Sequence, residues 1–195
     1  MDKVAQVAAN ALVDNNIIPI ELRNYYEYAI VTLIEKIVSV MTLLVIGVCF
    51  ERTIPAILFI LFFIMLRKRT GGYHAKTFTL CYIESILLFV LLMVFGDLLI
   101  VYPSAIIIAV GSSFVLIMYI GTINHSCMNY STDELEEAKK SARYVLLLEM
   151  MILMAANDLG VSRHYVGFMA WAIIMCAISM VMAKITDQEV HYDGK

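Results

Sequence analysis

His74 and Cys81 share the stretch 66–84, LRKRTGGYHAKTFTLCYIE. An imidazole beside a thiol is the pairing that base-assisted nucleophilic catalysis uses. The same stretch carries Arg67, Lys68, Arg69 and Lys76, whose positive potential favours an anionic sulfur and draws acidic substrates. One straight helix would put His74 and Cys81 on a common face but ~10 Å apart along its axis, whereas a hydrogen bond needs ~3 Å. The chain must therefore turn between them. Gly71-Gly72, free of the Cβ restriction on backbone conformation, is where that turn is expected.

Other chemistry-bearing residues have weaker company. Glu84, on the Cys81 side of the turn, could orient a base or repel a thiolate. His125 and Cys127 form a rival pair on a polar loop without a glycine hinge. Glu35 and Glu149 lie near the ends of apolar runs and read as solvated at the interface, and His164 and His191 read as solvated too. The four cysteines, Cys49, Cys81, Cys127 and Cys176, show no C-x-x-C spacing, so neither a metal site nor a disulfide framework is expected. Cys49, Cys127 and Cys176 read as packing residues.

The elements that must position these residues are membrane-embedded. The chain is 62% hydrophobic and 16% charged, with mean hydropathy +0.83, and a soluble core of this length does not need so much apolar sequence. The start, MDKVAQVAANALVDNN, lacks the uninterrupted apolar core of a signal peptide. Residues 1–26 read instead as an amphipathic segment, with Val4, Val7, Ala8, Ala11 and Leu12 on one face, able to lie in the interface. Apolar runs then follow at 29–50, 54–66, 78–95, 104–123, 144–156 and 165–185. The second is short for a span, which takes about 20 residues. Gly96-Asp97 reads as the start of a turn. Pro55 and Pro103 suit first helical turns, Ser131 with Glu134 spells a capping box, and Glu136 and Lys140 form an i,i+4 pair.

The expectation is an all-α polytopic integral membrane protein: one domain over 1–195, with about six membrane-embedded helices after the amphipathic segment. A central Arg or Lys costs roughly 2.5–3.5 kcal/mol on insertion scales, so the basic residues mark the loops. With about six spans, nearly all of them fall on one side; Arg52 and Arg163 fall on the other, and Lys36 lies within a span. The positive-inside rule then puts both termini and the segment 66–84 in the cytoplasm, where thiols stay reduced. A small membrane transporter or peptide-export component is the alternative, but it leaves the Gly-Gly-x-His…Cys segment unexplained.

The pattern Arg67…Gly72-Tyr73-His74-Ala75…Cys81, in this topology, resembles the accessory gene regulator B (AgrB) family, membrane endopeptidases of Gram-positive quorum sensing. The likeness covers nearly the whole chain, and the loop 124–131, NHSCMNYS, departs from it where many members are proline-rich. The resemblance implies that Cys81 is the nucleophile and His74 the base, with Arg67 and Gly72 at the family's other motif positions. It implies removal of the acidic tail of an AgrD-type precursor through an acyl-enzyme thioester, followed by thiolactone or lactone ring closure. Arg67, Lys68, Arg69 and Lys76 would draw the tail, with Gly71, Gly72 and Glu84 in support. It further implies a homodimer in the lipid bilayer, with no cofactor, metal or nucleic acid.

Overall fold

The architecture comes from a computed structural model, which describes residues 2–75, 77–124 and 130–188. It is all-α. Among the described residues there is no strand, and the helices run α1 (Asp2–Asp14), α2 (Arg23–Cys49), α3 (Thr53–Thr70), α4 (Phe78–Ile100), α5 (Pro103–Ile120), α6 (Thr132–Asp158) and α7 (Arg163–Ile185), with a short 3₁₀ turn at Ile20–Leu22. Four of them are long and apolar enough to cross a membrane: the stretches Ile20–Cys49, Phe78–Asp97, Pro103–Ile120 and Arg163–Ile185. α3 and α6 are long as well, but each carries more charge than such a span tolerates.

The chain divides into two compact units, Met1–Val45 and Ile46–Lys195. In the first, α1 ends where Asn15 and Asn16 leave the helix, Asn16 with φ 54°, a left-handed conformation that asparagine tolerates. Arg23 ties the return of the chain to α1 by donating from Nε to Asn10 Oδ1 (2.6 Å). The stripe that packs is Ala5, Ala9 and, partly, Leu12, whereas Val4, Val7 and Ala11 are exposed. The apolar face expected to lie in the interface stays exposed at Val4, Val7 and Ala11, and the packed stripe lies beside it. Small alanines allow close approach, and the larger valines are left for an apolar surrounding. On α2, Leu33, Ile37, Met41 and Val45 repeat every turn and are all exposed, as suits a helix against lipid.

The second unit is built around α7. Phe168, Ala172, Ile173, Cys176, Met180 and Ala183 are fully buried, and 61% of the helix's apolar window lies inside the protein. α3, α4, α5 and α6 all pack on it. Alanines let the neighbouring backbones approach, the usual device of membrane bundles. Leu66 of α3, Ile117 of α5 and Leu146 of α6 close the core around Ile173 and Met180.

Four sequence expectations change here. Residues 67–70 are helical, so the basic cluster forms the last turn of α3, where cations oppose the negative end of the helix dipole. Gly96 and Asp97 lie within α4, which runs on to Ile100. Gly96 serves close packing rather than a turn: its carbonyl accepts from Trp171 Nε1 (3.1 Å), and a Cβ there would sit 3.2 Å from Leu92 Cδ1 and 3.5 Å from Phe168. Asp97 is neutralised by Arg52, with Nη2 to Oδ2 2.5 Å, and His164 Nδ1 lies 2.9 Å from its other oxygen. His164 is therefore part of a charge cluster and also packs on Phe168, instead of being simply solvated. The Ser131–Glu134 capping box is formed, while Glu136 pairs with Lys139 (3.0 Å) in place of Lys140.

Candidate active site

The helix break falls where glycine allows it. α3 ends at Thr70, residues 71–75 are not helical, and α4 begins at Phe78. Gly71 takes φ 64° and Gly72 φ 127°, both in the region that side chains rarely adopt. The space is closed as well. A Cβ on Gly71 would lie 2.8 Å from the Ile123 carbonyl oxygen, and one on Gly72 would collide with Arg67 Nη1. With this break, the ~10 Å spacing that a single straight helix would impose on His74 and Cys81 does not apply.

Arg67 is the internal support of the turn. From the last turn of α3, Nη1 donates to the carbonyl of Gly71 and Nη2 to that of Tyr73. A planar guanidinium fork suits two carbonyls in this way; an ammonium does not. The same guanidinium lies within Coulombic range of the Cys81 and Cys176 sulfurs. The expectation that Arg67 stands with Lys68 and Arg69 as a surface cation is therefore revised: Lys68 and Arg69 are exposed, and Arg67 is folded into the turn. Lys76 lies outside the described residues.

Further hydrogen bonds fix the ends of the link. Ile123 N–H donates to the Thr70 carbonyl (2.8 Å), and the Thr122 hydroxyl donates to that of Arg69 (2.9 Å). The buried strip Gly121–Asn124 that follows α5 thus satisfies carbonyls at the end of α3. Tyr73 N–H donates to the Ser179 carbonyl in α7 (2.9 Å). His74 is exposed, and its backbone is held at both polar atoms by the Gln188 side chain, with distances of 2.9 and 2.8 Å. Gln188 was not legible as a site residue, since 114 positions separate it from His74.

Cys81 sits in the first turns of α4. Thr77 caps that helix, its hydroxyl accepting from Leu80 N–H (3.3 Å), and Cys81 N–H makes the next bond, to the Thr77 carbonyl (3.1 Å). The thiol is half-buried, in contrast to fully buried Cys176 and exposed Cys49. Glu84 is exposed on the following turn. His125 and Cys127 lie outside the described residues; Asn124 closes their loop by pairing its side-chain amide with the backbone of Tyr130 (3.2 and 3.1 Å). Among the described residues no cluster of His, Cys, Asp or Glu could hold a metal ion.

The family model for accessory gene regulator B matches residues 5–180. The chain belongs to the accessory gene regulator B family. Membership places it in accessory-gene-regulator quorum sensing and, with its long apolar helices, in a membrane. The match spans the glycine turn, His74 and Cys81 as well as α2 to α6 and most of α1 and α7. No curated protein and no solved structure matches the chain significantly.

One expectation about carboxylates is overturned. Glu149 is not solvated at an interface: it is 1% exposed on α6, and neither of its oxygens has a hydrogen-bond partner among the described residues. It lies within Coulombic range of the Cys176 sulfur.

Proposed function

We propose that this AgrB-family protein is a cysteine endopeptidase that removes the acidic C-terminal tail of an AgrD-type precursor. The observation that carries the reading is the half-buried Cys81 in the first turns of α4, with the Arg67 guanidinium in Coulombic range and His74 on the adjoining glycine turn. His74 takes the thiol proton as the Cys81 sulfur adds to the carbonyl carbon at the tail junction. The C–N bond breaks, the tail amine leaves with that proton, and a thioester remains on Cys81. A cysteine thiol (or serine hydroxyl) of the precursor then attacks the thioester, closes the thiolactone (or lactone) ring and returns a proton to Cys81. Exchange of one thioester for another is nearly balanced in energy, so the intermediate must be shielded from water. A site at the edge of the hydrocarbon layer suits that need.

Lys68 and Arg69 supply the field that draws the acidic tail, and the precursor's amphipathic leader shares the interface with α1. The distribution of basic residues supports a cytoplasmic site and cytoplasmic termini. The enzyme works as a homodimer in this reading and needs no cofactor.

Reconstituted protein, incubated with peptides that carry an amphipathic start, an internal Cys or Ser and an acidic tail, tests the proposal. Mass spectrometry is expected to find the released tail with wild type and none with Cys81→Ala, which still inserts and binds the peptide. Cys81→Ser should be nearly as inactive. Retained tail release in Cys81→Ala, with loss in Cys127→Ala, would overturn the assignment.

A further inference from the structure

The side chain of Gln188 meets the backbone of His74 at two points: His74 N–H donates to Oε1 (2.9 Å), and Nε2 donates to the His74 carbonyl (2.8 Å). A primary amide opposite one residue's N–H and C=O pairs with it as a neighbouring strand would. The two bonds fix both the position and the rotation of that residue's peptide planes. Such a contact bears on His74 specifically, because Gly71 and Tyr73 before it have other partners. Gly71 and Tyr73 give their carbonyls to Arg67, and Tyr73 gives its N–H to Ser179.

The route that brings Gln188 there is itself specified. α7 ends at Ile185, Thr186 follows, and Asp187 turns into the left-handed region with φ 53°. Asp187 N–H donates to the Lys184 carbonyl (3.2 Å) and Gln188 N–H to the Ala183 carbonyl (3.0 Å). These are the two bonds of a Schellman motif, with an aspartate where glycine is commonest. The motif reverses the chain at the end of α7, the most deeply packed helix, and leaves the Gln188 amide opposite His74. The turn that carries the proposed base is thereby tied to the core through Ser179 and Gln188 together.

We infer that Gln188 is a positioning residue: its amide clamps the His74 backbone and so sets where the imidazole stands relative to the Cys81 sulfur. This rests on the reading of His74 as the base for Cys81. Misplacement of a reacting group by ~1 Å can cost on the order of 100-fold in rate, so loss of the clamp is expected to lower turnover far more than substrate binding.

The test needs no substrate. The full chain in vesicles is alkylated with iodoacetamide from pH 5 to 9, and the rate at Cys81 is read from its own peptide by mass spectrometry, in wild type, His74→Ala, Gln188→Leu and Gln188→Glu. Wild type and His74→Ala should have different pH profiles, and Gln188→Leu should move towards His74→Ala, with alkylation near neutral pH slower on the order of tenfold. Gln188→Glu supplies a control of equal shape. As the carboxylate it is from pH 5 to 9, it accepts from the His74 N–H but repels the carbonyl, so one of the two bonds is lost. Its rate should therefore lie between those of wild type and Gln188→Leu. Hydrogen exchange should show the His74 amide losing protection in Gln188→Leu while that of Tyr73 keeps it. If wild type and His74→Ala share one profile, the dyad itself fails. If they differ and both Gln188 variants follow wild type, the dyad stands and the positioning role of Gln188 is overturned.

Discussion

The Arg67 guanidinium is hydrogen-bonded to the carbonyl of Tyr73, across the glycine turn that separates α3 from α4. Its other terminal nitrogen is bonded to Gly71, so one side chain holds the turn open at two points. Charge alone does not meet this demand. Arg67→Lys keeps the cation but loses the fork, leaving at least one carbonyl of the turn unpaired. A hydrogen bond to a charged group contributes about 1.5–3 kcal/mol, and that is the expected loss of stability, with tail release falling at least tenfold. The measurement is the thermal midpoint together with kcat. A Lys variant with wild-type stability and rate would show that the fork is dispensable.

Lys68 and Arg69 call for a different outcome. Both are exposed on the last turn of α3 and support no backbone among the described residues, so their contribution is to capture. Lys68→Gln with Arg69→Gln is expected to raise KM for an acidic-tailed peptide and leave kcat little changed. Salt should do the same to wild type, because the screening length is only ~10 Å at 0.1 M ionic strength. Kinetics between 50 and 500 mM salt read both effects. A KM that ignores salt and the double substitution alike would remove electrostatic capture from the account.

How far the sequence could be read follows from what each signal depends on. Local signals were dependable: the Ser131–Glu134 capping box, Pro103 at the start of α5 and the break at Gly71-Gly72 are set by residues next to one another. Signals whose meaning depends on a distant partner were not. Gly96-Asp97 has the composition of a turn, and only Trp171 and Arg52, packed against it from elsewhere in the chain, show why it stays helical. Arg67 stands at a family motif position within the basic cluster, and only its side chain folding back on the turn shows that its partners are two carbonyls. Glu149 reads as interfacial because α6 is amphipathic at its start and apolar later, a pattern that does not reveal which face is buried. Of the proposed site, His74, Cys81 and the glycine turn are candidates by residue type and spacing, whereas the contacts of Gln188, Ser179 and Thr122 with the turn and its ends were not legible.

The start of α6 should respond to acid. Ser131 donates from its backbone N–H (2.9 Å) and its hydroxyl (2.8 Å) to the Glu134 carboxylate. These bonds, the backbone one foremost, hold that carboxyl below its ordinary range. A carboxylate depressed in the folded state contributes stability that is fully present above its unfolded value, ~4.3, and is lost as pH falls through the depressed value. Amide exchange at Glu134 and Leu135, referred to an unstructured peptide, should therefore stay protected at pH 5 to 7 and accelerate below about pH 4. Glu134→Gln, which has no carboxyl to protonate, should show no such acid step. An acid step that survives in Glu134→Gln would assign the effect to another group.

Glu149 gives the most exposed expectation. It faces the core from the same side of α6 as buried Leu146 and Ala142, and its two oxygens find no partner among the described residues. An unsatisfied buried polar group costs about 1–3 kcal/mol, and leucine is close to glutamate in volume without that cost. Glu149→Leu is therefore expected to raise the thermal midpoint in detergent, by ~2–4 °C for each kcal/mol in a chain of this size. Glu149→Gln keeps the polar atoms buried and should gain much less. Tail release by Glu149→Leu should match wild type, since the carboxyl belongs to the core of the bundle and not to the glycine turn. A lowered midpoint in both variants would mean that the carboxyl is hydrogen-bonded in the membrane-embedded protein. A lost activity at unchanged midpoint would make it a functional intramembrane acid, the usual reading of such a residue.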